Sequence, residues 1–565
     1  MEETRDATQG QAEMVESSNG TKIEAASGAR LYMMLASLTM AAFLVMLDTS
    51  IVSTAIPKIT DEFHSLHDLG WYGSAYQLGS AVLQPLTGKV YQHFSLKWSF
   101  ISFFAVFEIG SALCGAAQTS AMLIIARAIA SIGASGLING AISIIASSLP
   151  MEKRPIASAN WNHDVHLVGF YINLPLGCLV AIPLALMHIP EQIEKEKPLV
   201  VLRQLHRHLD LVGFVLFAPA VIQLLLALQF GGHGFAWKSS QVIGLFCGSG
   251  ATFILWFIWN YHQGNDGLLP FPVIKRQVIW ASGANYTFVM SNLLVTAYFI
   301  PVYFQAVKGV EAITSGVYVL GMVLPQMLGV GISSYLRKAD FTGICFCAEI
   351  ADPFTVGLVR YIPPFSIFSG FLAAIGTGLF GLLKPDTPTG HWVGFMIITG
   401  LGRGVGFMMP LMAVQNVTNA EELTAATAFI VWAQYIGPTI FLAVFNVIFD
   451  TGLRSGITKY APNVDPATVT AAGATRFRKI VDPKDLAGVL FAYSYSLDRV
   501  FYICAVLAAL AMLTAFGMGW KKLAKKERRR RKKSKKSKKP VPVEMSDMTP
   551  TAAEERSVEN EQIKV

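Results

Sequence analysis

Runs of about 20 predominantly apolar residues recur thirteen times along this chain, and no other feature limits its fold so strongly. They fall near 32–55, 70–90, 98–117, 121–149, 167–189, 210–231, 241–262, 281–304, 313–336, 364–384, 391–415, 425–449 and 499–520. At about 1.5 Å per residue, each is long enough to cross a hydrocarbon core of about 30 Å as a helix. The overall balance agrees: 53% of the 565 residues are hydrophobic and 15% charged, with mean hydropathy +0.47. A soluble chain of this length would carry nearer a quarter charged residues. The expected class is an all-α, multi-pass membrane protein.

The first 30 residues are polar and mixed in charge, without the short apolar core and cleavage site of a secretory signal. The first span is therefore expected to act as the signal. The six cysteines, Cys114, Cys178, Cys247, Cys345, Cys347 and Cys504, show no spacing that demands a disulfide framework. Cys345 and Cys347 form a lone C-x-C without a partner pair, which reads as small loop residues in preference to a metal site.

Basic residues set the expected orientation. "KKLAKKERRRRKKSKKSKK", Lys521–Lys539, has one acid among many bases and is expected to stay cytoplasmic, resting on anionic lipid. Counting back from it, Gln415–Thr424, Arg337–Lys338, Lys275–Arg276 and Lys195–Arg207 become cytoplasmic. Counting forward from a cytoplasmic N-terminus, so do "GKVYQHFSLKW" (Gly88–Trp98) and "PMEKRP" (Pro150–Pro155). Gln415–Thr424, with two acids and no base, is placed by counting alone.

The two counts collide between Pro155 and Lys195. Both flanks come out cytoplasmic, so an even number of crossings must separate them, yet only the run 167–189 does. The shortage maps to Ile156–His166, where Asn160, Asn162, His163, Asp164 and His166 make a span untenable. As a helix those residues reach only about 16 Å. The chain as written is expected to misplace its N-terminal half locally and to transport little.

"LDTSIVSTAIPKI" (Leu47–Ile59), "GWYGSAYQL" (Gly70–Leu78), "ARAIASIGASGL" (Ala126–Leu137), "FYINLPLG" (Phe170–Gly177) and "PVYFQAVKG" (Pro301–Gly309) occur in order. Together they resemble the 14-span drug:proton antiporter branch of the major facilitator superfamily, especially its fungal toxin- and drug-efflux members. The resemblance covers roughly Ala29 to Trp520. It implies two six-helix halves, two extra central helices, and a midplane cavity that opens alternately to either side. The chain then divides into a disordered N-terminus (1–30), an N-terminal half short of its fifth span (31–190) and a cytoplasmic loop (191–209). Two linker helices (210–262), a C-terminal half (263–520) and a polybasic tail (521–565) follow. The C-terminal half carries an extracellular loop at 450–498.

Two departures stand out. The family's fifth span holds G-x-x-x-G-P-x-x-G-G, and nothing in Met151–Leu167 matches it. Asp340–Val356, "DFTGICFCAEIADPFTV", interrupts the loop after the family's tenth span with material that does not align. One piece missing and one piece extra is the mark of misassigned exon boundaries; the other reading is a genuine variant.

Ionisable groups inside spans are expensive and so become functional candidates. Asp48 matches the acid that, in the family, helps couple proton to substrate; the alternative is a static pair or helix cap. Arg127 matches the family's R-x-x-x-G-x-G, with Ser131 replacing the first glycine. A guanidinium favours the ionised form of a carboxylate that approaches it, and so offers either proton ejection or simple structural bonding. Glu108 is a second proton carrier or a hydrogen-bonded core residue. Arg403, mid-span among glycines, binds an anionic substrate group or faces a polar cavity.

The substrate is expected to be amphipathic and the cavity broad and apolar. Candidate lining residues are Trp71, Tyr76, Gln77, Tyr303, Gln305, Trp432 and Gln434, with ordinary packing as the competing reading. Gly88, Lys97, Gly133, Gly136, Gly437 and Pro438 are hinge or gating candidates. The loop Gly88–Trp98 departs from the superfamily's G-x-x-x-D-R-x-G-R-R: Gln92 and His93 stand where acid and arginine belong.

There is no G-x-x-x-x-G-K-[ST] phosphate loop, metal cluster or nucleophile motif, so neither an enzyme nor an ATP-driven pump is expected, and no cofactor beyond the proton gradient. No nucleic-acid partner is expected, and the carrier is read as a monomer in the plasma membrane, with the vacuolar membrane as the alternative. Competing functions are proton-coupled uptake of a siderophore, peptide or metabolite, and a non-transporting sensor descended from a carrier.

Overall fold

The computed structural model describes residues 14–16, 22–24, 33–45, 48, 69–148, 173–187, 189, 195, 201, 208–231, 235–338 and 361–520. The chain divides into two units, Met1–Lys522 and Leu523–Val565; the second, with the polybasic tail, lies outside the described residues. So do Ile156–His166, the insert Asp340–Val356 and the C-x-C at Cys345 and Cys347.

The described residues are almost wholly helical. The first half supplies α1 (Met33–Val45), α2 (Leu69–His93), α3 (Leu96–Gly115), α4 (Ser120–Ser148) and α5 (Asn173–Leu186). Two central helices follow, α6 (Leu211–Phe230) and α7 (Ser240–Gln263). The second half has α8 (Gln277–Val302), which continues as a wider turn at Tyr303–Val307, then α9 (Ala312–Lys338) and α10 (Pro363–Phe380). It is completed by α11 (Thr389–Gly406), α12 (Met409–Val417), α13 (Ala420–Tyr460), α14 (Pro466–Ile480) and α15 (Pro483–Ala515).

Every apolar run has a helical counterpart, and among the described residues ten helical segments are long and apolar enough to cross a membrane. Large apolar side chains are left outward on α7 (Ile254, Leu255, Phe257, Ile258) and α9 (Ile313, Val317, Leu324, Leu328). A lipid-facing surface has this composition because hydrocarbon, unlike water, does not penalise it.

Two expectations need correction. Residues 1–30 are not wholly without order: Met14–Glu16 pairs antiparallel with Lys22–Glu24, setting Val15 opposite Ile23 and Glu16 opposite Lys22. Apolar and opposite-charge cross-strand pairs both favour that register. The segment 450–498 is not a loop. The α13 helix has 41 residues, about 60 Å at 1.5 Å each, so it outruns the hydrocarbon core. Asp465 caps α14 by accepting from the Ala467 and Thr468 amides, and Asp482 caps α15 by accepting from Lys484. Pro466 and Pro483 occupy the first helical positions, where a missing N–H costs nothing. Composition showed the polarity of this stretch and missed these start signals.

The first half shows which way each helix runs. Along α3 and α4, a Cβ added at Gly140, Gly136, Gly133 or Gly110 would press into Phe100, Phe103, Phe107 and Ala130 respectively, so the two helices are antiparallel. Along α3 and α5, Gly177 lies against Glu108 and the Lys97 ammonium donates to the Ala185 carbonyl at 2.6 Å, again antiparallel. Ser148 therefore ends at the level of the α2–α3 turn, whereas Asn173 starts at the opposite end. The described ends on either side of 149–172 lie on opposite faces of the bundle.

Several of the segments expected to be cytoplasmic are joined at one end. Lys89 donates to the Asn265 and Asp266 carbonyls at 3.3 and 3.0 Å, and Lys195 to those of Tyr91 and Gln92 at 3.1 and 2.7 Å. The His93 and His208 rings meet at a tilt of 58°, with centroids 4.7 Å apart. Arg276 and Glu422 form a two-pronged pair at 2.7 and 2.6 Å. Gln415–Thr424, which lacks a base, is thus joined to Lys275–Arg276 through Glu422.

The linker helices lie along the seam between the halves. Ala81 and Val82 of α2, Phe217 and Val221 of α6, Trp256 of α7 and Ile436 of α13 share one apolar cluster. Asp210 starts α6 in a left-handed conformation (φ 45°), which a short polar side chain tolerates. Its carboxylate accepts from the Gly213 amide, the Trp259 indole and the Leu268 amide, at 3.0, 2.9 and 2.7 Å. Asn260 grips the Leu269 backbone through both its amide groups.

Candidate functional site

Arg127 stands seven residues into α4, about 10 Å from its start. Its Nη1 meets Asp48 Oδ2 at 2.6 Å, with the two side chains 2% and 0% exposed. Asp48 lies just beyond α1, and Ser111 of α3 sits beside its carboxyl. Tyr76 of α2 puts its ring under the guanidinium, 4.5 Å from centroid to Cζ. Four elements of the first half thus converge on one buried ion pair. The pair is neutral while Asp48 is ionised, and a proton on Asp48 would leave a lone cation.

Glu108 stands nearby on α3, close enough for its charge to interact with that of Asp48. Neither of its oxygens has a hydrogen-bond partner among the described residues. Gly177 makes room for it: a Cβ there would stand 2.6 Å from Oε1.

The second half holds a different arrangement. Arg403, on α11, is 2% exposed. Its Nε donates to Asn292 Oδ1 at 2.8 Å and its Nη2 to the Asn292 carbonyl at 3.0 Å, while Nη2 also bonds Thr296 Oγ1 and Nη1 reaches Met322 Sδ at 3.2 Å. Its donors are turned into α8 and α9.

The expected cavity residues are scattered. Tyr76 belongs to the ion-pair cluster. Tyr303 is fully buried in the second half's core, its hydroxyl donating to the Lys384 carbonyl at 2.9 Å. Trp432 packs near Phe217 and Phe429, with centroids 6.1 and 6.0 Å away, and so fastens the linker to α13. Gln77, Gln305 and Gln434 are half-buried. Trp71 falls in the first turn of α2, where only the backbone is described.

The hinge candidates are largely close-packing points. A Cβ at Gly133 would stand 2.3 Å from the Phe107 backbone nitrogen, and one at Gly136 2.0 Å from the Phe103 ring. Small residues let neighbouring helices approach this closely in a membrane. Gly437 abuts Thr287 of α8 in the same way, and α13 runs on helically through Pro438. Gly88 is the informative one: its Cβ would lie 2.4 Å from that of Ala428, at the crossing of α2 with α13 of the other half. Lys97 is partly exposed and tied to α5.

Lys89, Asp210 and Asn292 escaped the sequence reading. Lys89 interrupts an otherwise apolar run, Asp210 opens one, and Asn292 sits in the middle of one. The rule that singled out Asp48 and Arg127 would have found Lys89.

A profile described as Major Facilitator Superfamily matches residues 38–163. The chain is 45% identical over 520 residues to the MFS-type transporter pigP of Monascus ruber, covering 89% of this chain and 88% of that one. It is 40% identical to the efflux pump mlcE of Penicillium citrinum, covering 90% and 93%. Among solved structures, it superposes on the proton:xylose symporter XylE with a TM-score of 0.48 at 13% identity, over 88% of this chain and 98% of that one. A helical bundle of multiple membrane-spanning segments, with relatives of this identity over nearly its whole length, makes this chain a member of the major facilitator superfamily, a multi-pass membrane transporter and not an enzyme.

Proposed function

We propose that this transporter exports an amphipathic drug, toxin or secondary metabolite in exchange for protons, by alternating access. The single observation that carries the reading is the Asp48–Arg127 pair, two opposite charges 2.6 Å apart and sealed from solvent. Taking the charge off one partner of a buried pair costs about 3–5 kcal/mol. A two-state equilibrium moves from 1:99 to 99:1 for about 5.5 kcal/mol, so one proton on Asp48 is of the right size to drive most of a conformational change. Tyr76 receives the freed guanidinium on its ring face. The efflux names of the relatives support export over uptake.

In this reading the halves 31–190 and 263–520 flank the linker 210–262, and the tail 521–565 rests on anionic lipid at the plasma membrane. The Lys89, Arg276 and Gly88 contacts close the cytoplasmic end.

Asp48→Asn keeps the side chain's shape and removes its titration. Efflux driven by an imposed proton gradient should vanish while surface expression is unchanged. Normal pumping by Asp48→Asn would end the coupling assignment, and accumulation of substrate on external acidification would replace export with uptake.

A further inference from the structure

Counted within each half, Asp48 and Arg127 belong to the first and fourth helices, and Asn292 and Arg403 belong to the first and fourth helices of the other half, α8 and α11. Each half therefore clamps a buried arginine of its fourth helix to its first. In one half the partner is an acid, and in the other an amide. We propose that Asn292–Arg403 is the proton-silent counterpart of Asp48–Arg127, and that Asn292 is the positioning residue that keeps it so.

The surroundings of Asn292 select an amide. Its Oδ1 accepts from Arg403 Nε, and its Nδ2 donates to the Cys504 carbonyl at 3.0 Å and to Thr377 Oγ1 at 3.2 Å. The hydroxyl proton of Thr377 is already spent on the Ala373 carbonyl at 2.6 Å, so Thr377 can only accept from Asn292. One side of position 292 thus faces a cation, and the other faces two acceptors. Only an amide presents an acceptor to the first and two donors to the second. An ionised aspartate would set its second oxygen against two oxygens. Arg403 and Cys504 are the titratable groups bonded to Asn292 among the described residues. An arginine side chain stays protonated, so this centre carries one positive charge at every working pH. Its bonds reach α8, α9, α10, α11 and α15, which makes it a fixed joint of the second half. Proton response is left to the first half; that clause alone rests on the reading of Asp48.

The test needs no substrate: thermal unfolding of the purified full-length carrier between pH 5 and 9, comparing Asn292→Asp, Asn292→Leu and Asp48→Asn with the parent. Asn292→Asp should lie nearest the parent at low pH, where a protonated carboxyl still donates to Cys504, and fall further below it as pH rises, by on the order of 3 °C. Asn292→Leu should be lowered equally at all pH. Asp48→Asn should leave the extra ionisation of Asn292→Asp unchanged when the two are combined. An Asn292→Asp profile parallel to the parent's, or one that gains stability as pH rises, would overturn the proposal. Normal proton-driven efflux by Asp48→Asn would overturn the coupling assignment alone and leave the silent centre standing.

Discussion

The two ends of the bundle are held in different ways. At the end with the basic segments, the bonds run between parts of the molecule: Lys89 joins α2 to the turn after α7, Lys195 holds the end of α2, and Arg276 meets Glu422. Gly88 of the first half touches Ala428 of the second. At the other end, the described bonds stay within the second half. Arg478 donates to the Ala306 and Val307 carbonyls, Lys308 to those of Pro385 and Thr387, and Lys384 pairs with Asp498 at 2.5 Å. One end is stitched across the halves by Lys89 and Gly88, with Lys195 and Arg276–Glu422 bracing either side, and the other is finished within one of them. A carrier whose halves rock needs bonds that cross the seam to be breakable, while a cap can be permanent.

Removing the ammonium of Lys89 should have the largest effect. Lys89→Met strands two carbonyls in a largely buried place, and charged hydrogen bonds of this kind are worth about 1.5–3 kcal/mol. A cysteine introduced at Ala428 should then label faster with a membrane-permeant maleimide. Labelling at the parental rate would mean that Lys89 does not hold this end shut.

The paired histidines His93 and His208 offer a smaller effect and a pH handle. Burial, then the charges of His208, Lys89 and Lys195, push the His93 imidazole down to about 4. An unfolded histidine binds its proton near 6.5. Between those values the unfolded state holds more protons, so stability is full above about pH 6.5 and falls as pH drops toward 4. Because His93 is only half-buried, the loss should be on the order of 1 kcal/mol after screening. His93→Phe should flatten that part of the melting-temperature profile, and an unchanged slope would assign it elsewhere.

The Arg276–Glu422 pair is the mildest case. Both partners are partly exposed, so a double-mutant cycle with Arg276→Ala and Glu422→Ala should give less than about 1 kcal/mol, shrinking with salt. A larger, salt-independent coupling would show that this stitch is as strong as the buried ones.

Helices were legible because crossing a membrane imposes both their length and their composition. The buried ion pair was half legible. Asp48 and Arg127 stand out as charges in apolar runs, but nothing in the sequence says that they touch, since α1 and α4 meet only in three dimensions. For Tyr303 and Trp432 the sequence left two readings open, because an aromatic in a span looks the same whether it lines a cavity or fills a core. Asn292 was missed because an amide carries no charge to mark its cost, although it organises four helices. The polar stretch 450–498 hid α14 because helices outside the membrane need caps and not hydropathy, and Asp465-Pro466 and Asp482-Pro483 are such signals.

The linker pair bears on how such carriers grow and shrink. If α6 and α7 were a detachable graft, excising 210–262 would return a plain twelve-helix ancestor. Here excision would uncover Ala81, Val82 and Ile436, remove the platform under Trp432, and take away the Asp210 and Asn260 grips that shape the Leu268–Leu269 turn beside Lys89's acceptors. The ammonium would lose the shaped turn that holds its two acceptors in place. The insertion has become part of the mechanism's frame, and a trimmed descendant would have to lose the charge of Lys89 first.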